Sequence, residues 1–135
     1  MNKIFPKQLR LALIWIIVIF ILCNMKPSEL PKASYFFKDF DKFVHGVFYF
    51  VLTFLLARGF YLQSRFRLLK LLPVTFATFI CLFYGGLIEL IQLKVFTYRS
   101  GDWSDFIADA IGTALGIIPF YIYKQITTKP YEQVS

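Results

Sequence analysis

Three ionisable residues of this chain, His45, Glu89 and Asp109, lie inside apolar runs. An imidazole changes protonation near neutral pH, and a carboxylate can act as acid, base, hydrogen-bond acceptor or hard-cation ligand. Each has polar neighbours at helical steps. Asp41 precedes Lys42, His45 and Tyr49, and the last three share one helix face. Gly85, Glu89 and Gln92 share another. Asp102, Asp105 and Asp109 run by steps of three and four into Gly112 and Gly116, so one stripe passes from carboxylates to glycines. Arg99, Lys42 and His45 are the cations suited to phosphate or carboxylate groups. Glu89, Gln92, Asp105 and Asp109 can orient those cations or bind hydroxyls and amines.

Most of these residues also have ordinary explanations. Gly112-x-x-x-Gly116 reads most simply as a close helix contact. Asp102 and Asp105 suit a solvated helix start, where the dipole favours negative charge. Asp41 and Lys42 form an interface pair, His45 alone reads as a structural hydrogen-bonding residue, and Tyr49 alone reads as packing. Glu89 and Asp109 resist this treatment. A charge at the centre of a membrane helix costs about 2.5–3.5 kcal/mol even on a lenient scale, so such residues face partners or a wet cavity and are functional candidates.

The elements that must position them are four apolar blocks. The pattern predicts an all-α protein: one transmembrane domain over 1–135, a bundle of four helices at about 9–25, 43–62, 71–93 and 103–124, and a mobile tail over 125–135. The blocks are short for a hydrocarbon core about 30 Å thick, which needs about 20 residues; snorkelling of Arg10, Lys26, Arg58 and Lys124 extends them. Basic Lys3, Lys7 and Arg10 before the first block resemble a signal peptide, but no small-x-small cleavage site follows, so an uncleaved first helix is expected. Ser104 is placed to cap the fourth helix, and the basic stretch from Ser64 to Lys70 is read as a short loop. With both termini inside, nine Lys and Arg lie on the inner side and six on the outer. Seven of the eight acidic residues then lie on the outer side or in the outer ends of helices. In that arrangement the start of the second helix, the end of the third and the start of the fourth meet on one side.

Composition supports the membrane reading. Of 135 residues, 58% are hydrophobic, above the roughly 45–50% of soluble domains. Seventeen Phe and eight Tyr suit contact with lipid tails and headgroups. The net charge of +7 is spread between apolar blocks rather than along a stripe, which argues for anionic headgroups and against nucleic acid. Cys23 and Cys81 fall in apolar blocks and read as packing thiols. Neither a zinc spacing nor a nucleotide motif is present, so no metal or cofactor is assigned.

Together, Asp41-Lys42-x-x-His45-x-x-x-Tyr49, Glu89-x-x-Gln92 and Arg99-x-x-Asp102-Trp103-x-Asp105-x-x-x-Asp109-x-x-Gly112-x-x-x-Gly116 resemble the VanZ-like membrane protein family over residues 9 to 124. The family usually carries Asn where this chain has Asp109. The resemblance implies a family association with resistance to the glycopeptide teicoplanin, not a mechanism.

Three functions compete. The first is a non-catalytic envelope protein of the bacterial cytoplasmic membrane, multi-pass, binding a polar headgroup or amphiphile at the outer-side cluster. The ligand would be a lipid-linked wall precursor, a phospholipid or a lipoglycopeptide. The second is an enzyme acting on a lipid-linked substrate, with His45, Glu89 or Asp109 as catalytic groups or as holders of a divalent metal. The third is an assembly factor in which the polar cluster only fixes helix packing. Self-association into a homo-oligomer stays open.

Overall fold

The computed structural model describes residues 7–25, 39–95 and 103–128. They form five helices: α1 (Lys7–Asn24), α2 (Phe40–Leu62), α3 (Arg67–Leu71), α4 (Pro73–Lys94) and α5 (Trp103–Thr128). Among the described residues there is no strand. Helices α2, α4 and α5 are long and apolar enough to cross a membrane, and α1 contributes a shorter apolar stretch, Leu9–Asn24.

Polarity is distributed inside out. Glu89 and Asp109 are each 1% exposed, whereas Phe79 is 68% and Ile126 69% exposed. Water would penalise that arrangement on both counts. A hydrocarbon solvent favours it, because apolar faces need no cover there and charged groups must find partners inside.

The most extensive interface joins α2 and α5, which run parallel. Gly46 and Gly112 bring their backbones together; a Cβ on Gly112 would collide with the Gly46 carbonyl. One turn on, a Cβ on Gly116 would meet the Phe50 carbonyl and lie 2.9 Å from the Thr53 side chain. Small residues at this seam let van der Waals contact replace the hydrophobic drive that lipid cannot supply. At the far end of the seam, Arg58 lies over the Tyr123 ring at 5.2 Å and Lys124 over the Tyr61 ring at 5.6 Å.

Helix α1 runs antiparallel to α2 and is tied down by polar groups that reach backbone carbonyls. Trp15 Nε1 donates to Phe48 O at 2.9 Å, Tyr84 Oη to Ile16 O at 2.7 Å, and Gln92 Nε2 to Cys23 O at 2.6 Å. Thr53 Oγ1 donates to Tyr49 O at 2.7 Å and lies 3.4 Å from Cys81 Sγ, linking α2 to α4. Both cysteines are free and buried.

Several expected boundaries move. Helix α2 begins at Phe40 rather than 43, so Asp41 and Lys42 occupy its first turn; Asp39 before it takes the left-handed conformation, φ 64°, that Asp tolerates. The expected loop over Ser64–Lys70 contains the single-turn helix α3. Buried Gln63 builds this corner: its Nε2 donates to Phe60 O and Phe66 O, and its Oε1 accepts from Phe66 N at 2.8 Å. Helix α4 starts at Pro73 rather than 71, because proline suits the first turn, where no intrahelical N–H bond is lost. Helix α5 starts at Trp103, which places Ser104 inside the helix rather than at its cap. It continues to Thr128, so residues 125–128 of the expected tail are helical; Thr127 and Thr128 donate to Tyr123 O and Lys124 O one turn back. Residues 129–135 lie outside the described residues.

The seam gives a direct test. Gly112→Ala is expected to destabilise the protein by about 1–3 kcal/mol through overpacking against Gly46. Gly86→Ala, whose Cβ would meet Phe106 at an ordinary 3.7 Å, should stay within about 0.5 kcal/mol of the parent. Reversible unfolding in detergent micelles, followed by circular dichroism, measures both.

Candidate functional site

The buried polar cluster forms where the start of α2, the end of α4 and the start of α5 meet. His45 is five residues into α2, Glu89 five residues before the end of α4, and Asp109 six residues into α5. At 1.5 Å per residue each lies about 7–9 Å below its helix end. The three side chains are buried, and an imidazole nitrogen and one oxygen of each carboxylate lie within 4.8 Å of one another.

His45 Nδ1 is 2.9 Å from Asp109 Oδ1. An ionised carboxylate only accepts, so the imidazole N–H is then the donor. The Gly46–Gly112 contact sets this distance, because each glycine is one or three residues from a member of the pair. The second carboxylate oxygen, Asp109 Oδ2, turns toward α4: a Cβ on Gly85 would lie 3.0 Å from it. Gly85 thus leaves the space that Asp109 enters, one turn before Glu89. Thr113 Oγ1 donates to Asp109 O at 2.8 Å and satisfies itself within α5.

Nearer the helix ends, Lys42 Nζ lies 3.6 Å from Asp105 Oδ1 and 3.8 Å from both Asp39 and Asp41. Asp105, one turn before Asp109, is largely buried, whereas Asp39 and Asp41 are exposed. Lys42 therefore bridges the aqueous end and the buried cluster. On the exposed face of the α2/α5 seam, an apolar groove of about 360 Å³ runs from Lys42 past Phe43, Val47, Phe50, Ile111 and Leu115.

Of the residues singled out from the sequence, His45, Glu89 and Asp109 come together, with Lys42, Asp41 and Asp105 above them. Tyr49 is fully buried one turn below His45, its ring 6.3 Å from that of Tyr84. Its hydroxyl has no hydrogen-bond partner among the described residues. Gln92 is buried but bonds the end of α1 instead of joining the cluster. Gly85 and Gly112 shape the site, and Gly116 lies farther along the seam. Arg99 and Asp102 lie outside the described residues. Sequence reasoning missed Gly46, the partner of Gly112, although a glycine next to His45 in a helical run was the available signal. It also missed Gln63, Trp15 and Tyr84, whose bonds to distant carbonyls leave no local pattern.

Removing either partner of the His45–Asp109 pair leaves the other buried. His45→Ala and Asp109→Ala should each cost about 1–3 kcal/mol. The double variant should cost less than their sum, with a coupling energy of about 0.5–3 kcal/mol in a detergent unfolding cycle. Strict additivity would mean that the two side chains do not interact.

Residues 8–124 match the VanZ/LLP1 family. No curated protein and no solved structure matches the chain. The family match covers most of the sequence and all three helices that build the cluster, and the chain is a membrane protein of the VanZ/LLP1 family.

Proposed function

We infer that this protein crosses the bacterial cytoplasmic membrane four times, with both termini inside, and binds the polar end of an amphiphile at its outer side. The observation that carries this reading is the position of Lys42. It stands at one end of an apolar groove long enough for part of an acyl or prenyl chain, and it pairs with Asp105 directly above the His45–Asp109 cluster. A tail in the groove brings its headgroup to Lys42, where a phosphate or carboxylate competes with Asp105 for the ammonium. Hydroxyls and amines of the headgroup then meet the carboxylates. Lipid-linked wall precursors, phospholipids and lipoglycopeptides all have this build. The family's link to glycopeptide resistance fits a protein that handles such molecules at the cell envelope. The His45–Asp109 pair also orients an imidazole as a base would need, which keeps an enzyme acting on a lipid-linked substrate as the second reading.

The four-span topology draws on the basic residues Arg58, Arg65 and Lys124 at the end opposite the carboxylates. In a variant lacking the native cysteines, Ser28→Cys should react with an impermeant maleimide in intact cells, and Ser64→Cys only after lysis; the reverse pattern would turn the bundle over. For binding, lipids co-purifying with the full chain are compared by mass spectrometry between wild type and Lys42→Ala. Losing a charged contact worth about 1.5–3 kcal/mol should deplete the bound amphiphile about tenfold or more. Identical lipid profiles would remove Lys42, and the groove with it, from the reading.

A further inference from the structure

We propose that His45, Glu89 and Asp109 form a binding site for one divalent transition-metal ion of the manganese or zinc type. The donors come from three helices rather than from one acidic stretch, and each is buried. Ligand atoms around one such ion, at about 2.0–2.2 Å each, stand at most about 4.4 Å apart. The three donor atoms lie within 4.8 Å of one another, so side-chain adjustments of well under a helix step close the site.

Two further observations concern buried polar atoms on the helices that build this space. Asp109 Oδ2 is buried, has no hydrogen-bond partner among the described residues, and faces α4 over Gly85, one turn from Glu89. The Tyr49 hydroxyl, one turn along α2 from His45, is equally buried and partnerless among the described residues. Buried polar atoms of this kind are rare in folded proteins and mark a missing partner. An ion bound by Asp109, carrying a water that accepts from Tyr49, satisfies both.

The chemistry of the set selects the class of ion. Two carboxylates favour hard cations, and an imidazole extends the preference to zinc, iron and manganese. A divalent ion with two carboxylates and a neutral imidazole sums to zero charge, the state a low-dielectric site favours. Three protein donors also leave positions open for water or for an anionic oxygen. The site stands on the geometry of these residues alone and does not depend on the amphiphile reading, since Lys42 and the groove contribute no donor.

The test uses the full chain in detergent or nanodiscs, stripped with chelator and dialysed against MnCl2 or ZnCl2. One ion per chain is expected by elemental analysis. Glu89→Gln, Asp109→Asn and His45→Ala should each weaken binding about 10- to 100-fold, while Asp39→Asn leaves it unchanged. Circular dichroism and size exclusion check that each variant is folded. Should the variants not fold, the wild-type protein still decides the matter: Mn²⁺ bound there shows nitrogen hyperfine coupling from an imidazole in its pulsed electron paramagnetic resonance spectrum. Absence of stoichiometric binding, retention of binding in all three variants, or bound Mn²⁺ without nitrogen coupling would each overturn the proposal and leave buried water as the partner of Asp109 and Tyr49. Tight Mg²⁺ or Ca²⁺ binding without Mn²⁺ or Zn²⁺ would overturn the assigned class.

Discussion

The contact between Gly46 and Gly112 sets the distance between α2 and α5, and the polar cluster depends on that distance. A methyl group at Gly112 would push the helices apart, because the atoms it meets belong to the Gly46 backbone and cannot rotate away. His45 and Asp109 branch from the same level of the seam, and their 2.9 Å hydrogen bond exists only while the backbones touch. The dependence also runs the other way. In lipid there is little hydrophobic gain from bringing two apolar helices together, so a buried hydrogen bond adds weight to a seam otherwise held by van der Waals contact.

The same economy governs α1. Its outer face is apolar and lipid-facing, with Ile14 and Ile17 each 58% exposed. What fixes its height and rotation is polar: Trp15, Tyr84 and Gln92 donate to carbonyls on neighbouring helices at three levels. Carbonyls of a helix keep a spare lone pair after their intrahelical bond, so these contacts cost no helical hydrogen bond. Gln92 shows how a residue chosen as a site candidate by type and spacing can be used instead to dock a helix. Glu89 and Gln92 are both buried on α4, and the Gln92 amide donates to Cys23 O at the end of α1.

The helical character and the meeting of polar stripes were legible because both follow from local periodicity. Apolar blocks marked α2, α4 and α5, and steps of three and four placed His45, Glu89 and Asp109 on inward faces. Other features depend on partners that are distant in sequence. Gly46 gains its meaning only opposite Gly112, and nothing near residue 46 announces that partner. The corner at Gln63 was read as loop because Ser64 to Lys70 is basic and short; one buried amide with three bonds turned part of it into α3. Helix ends moved for equally local reasons that hydropathy does not report: Pro73 fixed the start of α4, and the hydroxyls of Thr127 and Thr128 extended α5 beyond its apolar block.

The residue at 109 decides the charge of the site. An asparagine at 109 would still offer an amide oxygen to the His45 N–H, so the link between α2 and α5 would survive. Its NH2 group would then face α4 over Gly85, one turn from Glu89, and would present a donor there. Asp109 presents a second acceptor instead. Two carboxylates from α4 and α5 therefore converge on one buried space, which favours a guest that is a cation or a hydrogen-bond donor over an anion. Lys42 answers part of that demand from above through Asp105. Lys42, anchored in the first turn of α2, is drawn to Asp39 and Asp41 at the surface and to the largely buried Asp105. The cluster is thus layered, with the Lys42–Asp105 ion pair nearer the helix ends and, beneath it, carboxylate oxygens from two helices arranged around His45.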